Sequence, residues 1–280
     1  EKEAVPQYEQ WEEDRMIPKT FWRKLGEMGY LCPQVEEAYG GLETDFRYAV
    51  IIGEELERVG ASLTGVGLHN DIVVPYFEAY GKDEQKSRWL PGCVTGDHIT
   101  AIAMTEPGAG SDLAAIQTTA VKDGNHYVVN GSKTFITNGI NADLILVVVK
   151  TDTKIEPKHR GISLLVVEEG MPGFTRGRKL NKLGMHAQDT AELYFEDCRV
   201  PVKNLLGEEG KGFTYLMEKL QQERLMVAIS AQTASEDMVE MTLDYVKSRK
   251  AFGRPIASFQ NTQFKLVEMT TEVELGHSFL

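Results

Sequence analysis

The 280-residue sequence is poor in cysteine and in positive charge, and none of its apolar runs reaches the length of a membrane span. Its three cysteines, Cys32, Cys93 and Cys198, are odd in number and widely spaced, which argues against a disulfide framework and a zinc site. The six histidines show no metal-ligand spacing. We therefore predict thiols in a reducing compartment, no metal site and no integral membrane segment.

The chain carries 30 Lys and Arg against 42 Asp and Glu, a formal net charge of -12. Nucleic acid is thereby excluded as the main partner, because phosphate backbones need a basic face. The densest basic cluster, around Arg176 and Lys179, indicates either a local anion site or, as the favoured interpretation, a solvated strand edge. A hydrophobic content of 42% predicts a globular protein with a sizeable core.

The hydrophobic period changes twice along the chain. Residues 1–98 show helical spacing, residues 99–208 show the period of two that is typical of strands, and residues 209–280 return to helical spacing. We predict three domains in that order: helical, antiparallel β and helical, an α+β fold. Helical spacing continues to Leu280, so we expect further helices to complete the last domain.

Residues 105–112 read TEPGAGSD and follow an apolar run. The two glycines keep side chains away from the backbone N–H groups, while Thr105 and Ser111 supply short hydroxyls, which favours a flat ligand that carries phosphate. An ordinary turn remains the alternative, since the segment is not a dinucleotide fingerprint. Residues 131–134, GSKT, are not a P-loop, and Asn130 with Gly131 predicts a hairpin turn between two strands.

Glu223 and Arg224 interrupt the apolar face of a long predicted helix, whose stripe consists of Leu216, Met217, Leu220 and Val227. A carboxylate at such a position is costly unless it is paired or functional, and desolvation raises its pKa toward that of a useful general base. Two interpretations stay open from spacing alone. Glu223 is either a catalytic base or a structural residue, in a buried ion pair or facing further helices.

Three motifs occur in a fixed order: residues 101–112 (AIAMTEPGAGSD), residues 130–139 (NGSKTFITNG) and residues 248–253 (SRKAFG) with Gln260. With these motifs the chain resembles the acyl-CoA dehydrogenases over essentially its whole length. Residues 182–184, 187–193 and 222–225 are most similar to the long-chain branch of that family. The resemblance implies an N-terminal helical domain, a middle β domain and a C-terminal helical bundle that is incomplete here.

The resemblance also implies roles for individual residues. Glu223 matches the catalytic base of long-chain and isovaleryl-type members, and Ser111, Gln221 and Arg224 match substrate contacts. The residues that match FAD contacts within one subunit are Ile102, Met104, Thr105, Gly110, Ser111, Phe135, Ile136 and Thr137. Arg249, Phe252 and Gln260 match residues that reach the FAD of a neighbouring subunit.

The implied reaction is FAD-dependent α,β-dehydrogenation of fatty acyl-CoA to 2-trans-enoyl-CoA in β-oxidation. The implied partners are acyl-CoA, an electron-transferring flavoprotein and identical subunits of a homotetramer. The location would be the cytoplasm in a bacterium and the mitochondrial matrix in a eukaryote. Two alternatives remain: an acyl-CoA oxidase-like flavoenzyme, and a non-catalytic flavin-fold assembly subunit. For a long acyl chain, residues 65–68 (GVGL) are expected to leave room in the pocket wall, unless these glycines only allow close helix packing.

Overall fold

A computed structural model describes residues 2–60 and 63–280. Helices come first, a sheet follows and helices return, as the sequence predicts. The helices are α1 (Val5–Asp14), α2 (Lys19–Glu27), α3 (Phe46–Arg58), α4 (Thr64–Gly67), α5 (Val74–Tyr80), α6 (Asp83–Thr95), α7 (Gly212–Ser248) and α8 (Gln260–Phe279). The strands are β1 (Thr100–Ala103), β2 (Thr119–Asp123), β3 (His126–Thr137), β4 (Leu144–Lys150), β5 (Ile162–Glu168), β6 (Phe174–Lys179), β7 (Thr190–Pro201), β8 (Leu205–Leu206), β9 (Lys250–Ala251) and β10 (Arg254–Pro255).

The predicted helix over residues 63–80 consists of α4, a π-helical turn (Leu68–Val73) and α5 in direct succession. Gly65 lets this segment approach the sheet, because a Cβ there would overlap the side chains of Asn138 and Gln188. The Asn138 amide donates to the carbonyl oxygens of Gly65 (3.1 Å) and Thr100 (3.0 Å), so it joins α4 to β1. Gly65 therefore allows close packing, but against the side chains of Asn138 and Gln188 in the β domain and not against another helix.

Seven strands follow one another in the order β6-β7-β3-β2-β4-β5-β8, and β1 pairs with β4. Most pairings are antiparallel, but β1 and β2 both run parallel to β4, which the prediction of an antiparallel domain did not include. The first six residues of both β4 and β5 are buried, since these runs, which apart from Ser163 are all Val, Ile and Leu, are covered on two faces. The centre of the sheet is therefore closed by helices on one side and by other strands on the other.

The predicted hairpin at Asn130 and Gly131 is wrong. Both residues lie within β3, which pairs with β7 before and after them, and the pairing register shifts between Val129 and Gly131. The two residues form a β-bulge instead of a turn. Gly131 has a φ of 148°, and a Cβ at this position would collide with Thr118. A glycine inside a strand often has this meaning.

The remaining features concern the surface and the last helices. β6 is an edge strand and Arg178 on it is exposed, as the strand-edge interpretation of the basic cluster expects. Arg176 departs from that interpretation, because its guanidinium is half-buried and donates to the carbonyl oxygens of Gly139 and Ala142. After β8, α7 extends over 37 residues and packs on α3 and α8.

No helix within residues 2–60 and 63–280 is both long and apolar enough to cross a membrane.

Candidate active site

A cavity of about 530 Å³ lies where three parts of the fold converge, a volume in the range of small-molecule sites. One wall is the segment between β1 and β2, which the sequence singles out as a ligand lining. A second wall is the first half of α7, and Tyr76 of α5 closes a third side. The lining residues are Tyr76, Met104, Thr105, Gly110, Ser111, Asp112, Leu113, Ala114, Phe213, Leu216, Met217, Leu220, Glu223 and Arg224.

Glu223 is the buried carboxylate of this cavity. The residue is only 8% exposed, so the burial predicted from its helical spacing is confirmed. The Tyr76 hydroxyl donates a hydrogen bond to Glu223 Oε1 at 2.8 Å. Burial raises the pKa of Glu223 above its ordinary value, although the Tyr76 hydrogen bond and the charges of Lys219 and Arg224 act in the opposite direction. A raised pKa at a cavity wall is suited to general-base chemistry.

The structure tests one of the structural interpretations of Glu223, the buried ion pair. Among the described residues no salt bridge involves Glu223, so the buried ion pair is not observed. The apolar stripe is also shorter than predicted, because Val227 is exposed whereas Leu216 is buried. Further along α7, Ile229 and Thr233 are buried again, but neither of them lines the cavity.

The cavity segment is tied to β3 by a buried ion pair. Lys133 Nζ donates to the Met104 carbonyl oxygen (2.9 Å) and to Glu106 Oε1 (2.8 Å). Burial lowers the pKa of Lys133 to about 8, against the raising effect of the Glu106 charge. The Thr134 N–H donates to the Thr105 carbonyl oxygen at 2.9 Å. These bonds fix the backbone next to Thr105 from behind the cavity.

Phe135 stands beside this anchor and breaks the alternation of β3. Tyr127, Val129 and Lys133 are buried, so the period of two would place Phe135 inside as well. It is instead 68% exposed, with a φ of 59° in the left-handed region. A bulge that turns a large aromatic ring outward is costly, and such devices often re-aim a side chain at a site.

Of the predicted site residues, six line the cavity together: Met104, Thr105, Gly110, Ser111, Glu223 and Arg224. Three others belong to the neighbouring strands, where Ile102 and Ile136 are buried and Thr137 is half-buried. Gln221 is exposed on α7 and does not line the cavity. The remaining group of Arg249, Phe252 and Gln260 is exposed beyond the end of α7 and is not part of the cavity.

Sequence reasoning missed two contributions to the site. Tyr76 gave no signal, since a tyrosine at helical spacing is typical of a core residue. The Lys133–Glu106 pair was also not predicted. A lysine inside an apolar strand pattern, with a carboxylate in a neighbouring motif, could have indicated a buried ion pair. Within residues 2–60 and 63–280, no group of three or more His, Cys, Asp or Glu side chains could hold a metal ion.

Models of three protein-family domains match the chain in sequence. They describe the N-terminal, middle and C-terminal domains of acyl-CoA dehydrogenase and match residues 1–97, 101–198 and 210–280. The chain belongs to the acyl-CoA dehydrogenase family. The expected α+β fold of helices, sheet and helices is thus confirmed at the level of the family.

Individual members of the acyl-CoA dehydrogenase family show how far the likeness extends. The chain is 47% identical to the mitochondrial long-chain specific acyl-CoA dehydrogenase of Sus scrofa, over 100% of this chain and 65% of that protein. A crystal structure of acyl-CoA dehydrogenase from Geobacillus kaustophilus is 67% identical, with a TM-score of 0.98 over 99% of this chain and 73% of that one. The structure of an acyl-CoA dehydrogenase complexed with FAD, from Bacillus anthracis, is 33% identical, with a TM-score of 0.92 over 99% of this chain and 48% of that one.

Proposed function

We propose that the protein is a FAD-dependent acyl-CoA dehydrogenase that converts fatty acyl-CoA thioesters to 2-trans-enoyl-CoA. The observation that carries this proposal is the position of Glu223. Its buried carboxylate faces the same cavity as Thr105 and Ser111, which belong to the segment that resembles a flavin site. A base opposite a cofactor-binding wall is the arrangement that removal of two hydrogens from adjacent carbons requires.

Removal of an α-proton from a thioester requires that the Glu223 carboxylate be a stronger base than usual. An α-hydrogen of a thioester is a far weaker acid than an ordinary carboxylic acid, so a solvated carboxylate would be a poor base for it. Burial raises the pKa of Glu223 and excludes water from the proton that it must take. The thioester carbonyl also needs hydrogen-bond donors, because negative charge develops on its oxygen as the proton leaves.

FAD is the cofactor in this proposal, and the residues present fit it. A Cβ added to Gly108 or Gly110 would meet no atom within 4 Å, so the segment leaves open space on its outer side. Thr105 and Ser111 would offer hydroxyls to the flavin, and Phe135 would offer its exposed ring. When bound, the flavin would accept the β-hydrogen of the substrate as hydride. Arg249, Phe252 and Gln260 are proposed to contact the FAD of a neighbouring subunit in a homotetramer.

The substrate and the electron acceptor are finer parts of the same proposal. We infer a long saturated acyl-CoA, because the similar protein of Sus scrofa is named as long-chain specific. Electrons would pass to an electron-transferring flavoprotein, as in β-oxidation. The protein would work in the bacterial cytoplasm or, in a eukaryote, in the mitochondrial matrix. An acyl-CoA series tests the length, since each buried methylene contributes roughly 0.8 kcal/mol to binding.

The proposal is tested with the full-length protein, purified with FAD and mixed anaerobically with a long saturated acyl-CoA. We expect loss of the oxidised flavin's colour and formation of the enoyl-CoA. A flavin that keeps its colour would support the non-catalytic subunit instead. If colour is lost, comparison of reoxidation by oxygen and by electron-transferring flavoprotein separates an oxidase from a dehydrogenase.

The role of Glu223 is tested by Glu223→Gln, which keeps the shape of the side chain and removes the base. We expect turnover to fall by roughly 10²–10⁴-fold or more, while FAD stays bound. Glu218→Gln is the matched control, because Glu218 is exposed on the same helix and does not line the cavity. Near-normal turnover of Glu223→Gln would mean that the base is another residue.

A further inference from the structure

The only hydrogen bond to Glu223 from a described side chain comes from Tyr76, 147 residues earlier in the chain. Tyr76 is fully buried on α5, and its ring forms part of the cavity wall. Its hydroxyl donates to Oε1, while Oε2 of Glu223 has no hydrogen-bond partner within residues 2–60 and 63–280. The carboxylate thus has one oxygen held and one oxygen available to a ligand.

The charged and titratable groups around Glu223 come from three elements. Lys219 and Arg224 lie on its own helix, Asp112 comes from the segment after β1, and Tyr76 comes from α5. Burial and the Glu223 charge both raise the pKa of Tyr76, so the phenol keeps its proton and acts as a donor. Among these four groups, Tyr76 alone makes a hydrogen bond to the carboxylate.

We propose that Tyr76 is a positioning residue for the base: its hydroxyl fixes Oε1 of Glu223, directs Oε2 to the α-carbon of the substrate and stabilises the ionised carboxylate. This inference rests on the proposed function, in which Glu223 removes the α-proton. Tyr76 keeps its own proton during that step. A buried carboxylate without such a donor would be protonated over a wider range of pH and would adopt more than one rotamer.

Tyr80 provides a matched control on the same helix. It lies one turn after Tyr76, and its hydroxyl donates to Oε2 of Glu218 at 2.7 Å. That bond is exposed and lies outside the cavity lining. Tyr76→Phe and Tyr80→Phe therefore each delete one phenol oxygen that is bonded to a glutamate of α7. Only the first deletion affects the proposed base.

The experiment measures kcat against pH for the full-length protein with FAD and a long saturated acyl-CoA. In Tyr76→Phe we expect the acid limb to move to higher pH, because the ionised form of Glu223 loses its donor. The loss of kcat should be about tenfold on that limb and should shrink toward about twofold at high pH, with little change in KM. Tyr80→Phe should follow the wild-type profile.

A second measurement follows the proton directly. With the flavin already reduced, exchange of the substrate's α-hydrogen for deuterium in D₂O reports proton removal without oxidation, and it should slow in Tyr76→Phe in the same pH-dependent way. Adding Tyr76→Phe to Glu223→Gln should cause no further loss, since the phenol acts through the carboxylate. A wild-type profile, a loss that is uniform in pH, or a loss of bound flavin would each overturn the proposal.

These outcomes are distinct from failure of the proposed function. If Glu223→Gln is active, Glu223 is not the base, and the inference about Tyr76 fails together with the proposed function. An inactive Glu223→Gln together with a Tyr76→Phe variant that behaves as wild type would leave the base in place. It would show that Tyr76 only packs against it.

Discussion

The two ends of α7 lie in different surroundings, although they belong to one continuous helix. The first half contributes Leu216 and Glu223 to the cavity and packs against the helices and the sheet. Beyond Thr233, Val246 is the one buried residue of α7, and no residue of α8 is buried. Large apolar side chains such as Phe264 and Val267 are exposed there. We call the buried region around residues 212–233 of α7 the closed end, and the exposed region from residue 234 through α8 the open end.

This difference separates the predicted site residues into two classes. The site residues at the closed end, such as Thr105 and Glu223, are held in place by contacts within a single chain. Arg249, Phe252 and Gln260 lie at the open end, where Phe252 is 96% exposed, and their proposed role needs a second subunit. Substitutions at the closed end should therefore change stability and chemistry. Those at the open end should change mainly what the protein binds.

The largest effect on folding is expected from Lys133→Met at the closed end. Lys133→Met leaves the buried Glu106 carboxylate without its cation, although the N–H groups of Gln117 and Thr118 still donate to it. Loss of one partner of a buried ion pair typically costs about 3–5 kcal/mol. Chemical denaturation should show this loss, accompanied by weaker flavin retention because the backbone beside Thr105 is no longer anchored. Lys122→Met, at an exposed site on β2, is the control and should change the free energy of unfolding by less than about 0.5 kcal/mol. Equal effects at both lysines would contradict the role of the pair.

Lys133 also shows where prediction from sequence ends. The change from helical to strand periods, the Gly-rich segment and the burial of Glu223 could be derived, because they depend on spacing within single elements. The bulges of β3 could not be derived, since they arise from pairing with β7, and they decide that Lys133 lies inside and Phe135 outside. The contact between Tyr76 and Glu223 was equally hidden, because it depends on how α5 and α7 meet.

Leucine truncation at two sites compares the closed and open regions directly. Leu165 on β5 is fully buried, whereas Leu275 on α8 is 66% exposed. We expect Leu165→Ala to cost about 2–5 kcal/mol in the free energy of unfolding, because it creates a cavity in the core. Leu275→Ala in the same 280-residue chain should cost less than about 0.5 kcal/mol. A similar cost at both positions would mean that α8 is covered in solution.

A smaller effect, which depends on pH, is expected at Asp71 in the π-helical turn. Burial raises the pKa of Asp71 from 3.8 to about 7, and no hydrogen bond to its carboxyl group is found among the described residues. Between those values the folded state binds the proton more tightly, so the free energy of unfolding falls as pH rises through this range, and the loss is complete above about pH 7.

Asp71→Asn removes that charge, so its stability relative to wild type should increase from pH 4 to pH 8. The gain at pH 8 should be on the order of 2 kcal/mol, measured by denaturation at several pH values. Asp244→Asn is the control at the open end, since Asp244 is exposed on α7 and should show no such trend. A gain for Asp71→Asn that does not vary with pH would indicate a packing effect instead of a buried charge.

The smallest effect on folding is expected from Arg249→Ala at the open end. Within the described residues the guanidinium of Arg249 makes no hydrogen bond or ion pair, although its backbone N–H bonds to Tyr245. Its removal should therefore leave the melting temperature of the flavin-free protein unchanged. FAD should dissociate at least about tenfold more readily, because the proposed contact of Arg249 with the FAD of a neighbouring subunit would lose a forked donor suited to pyrophosphate. Arg199→Ala, which breaks only an exposed pair with Asp123, should change neither property. If Arg249→Ala retains flavin as wild type does, Arg249 has no part in the cofactor site. If it lowers the melting temperature of the flavin-free protein instead, Arg249 belongs to the scaffold.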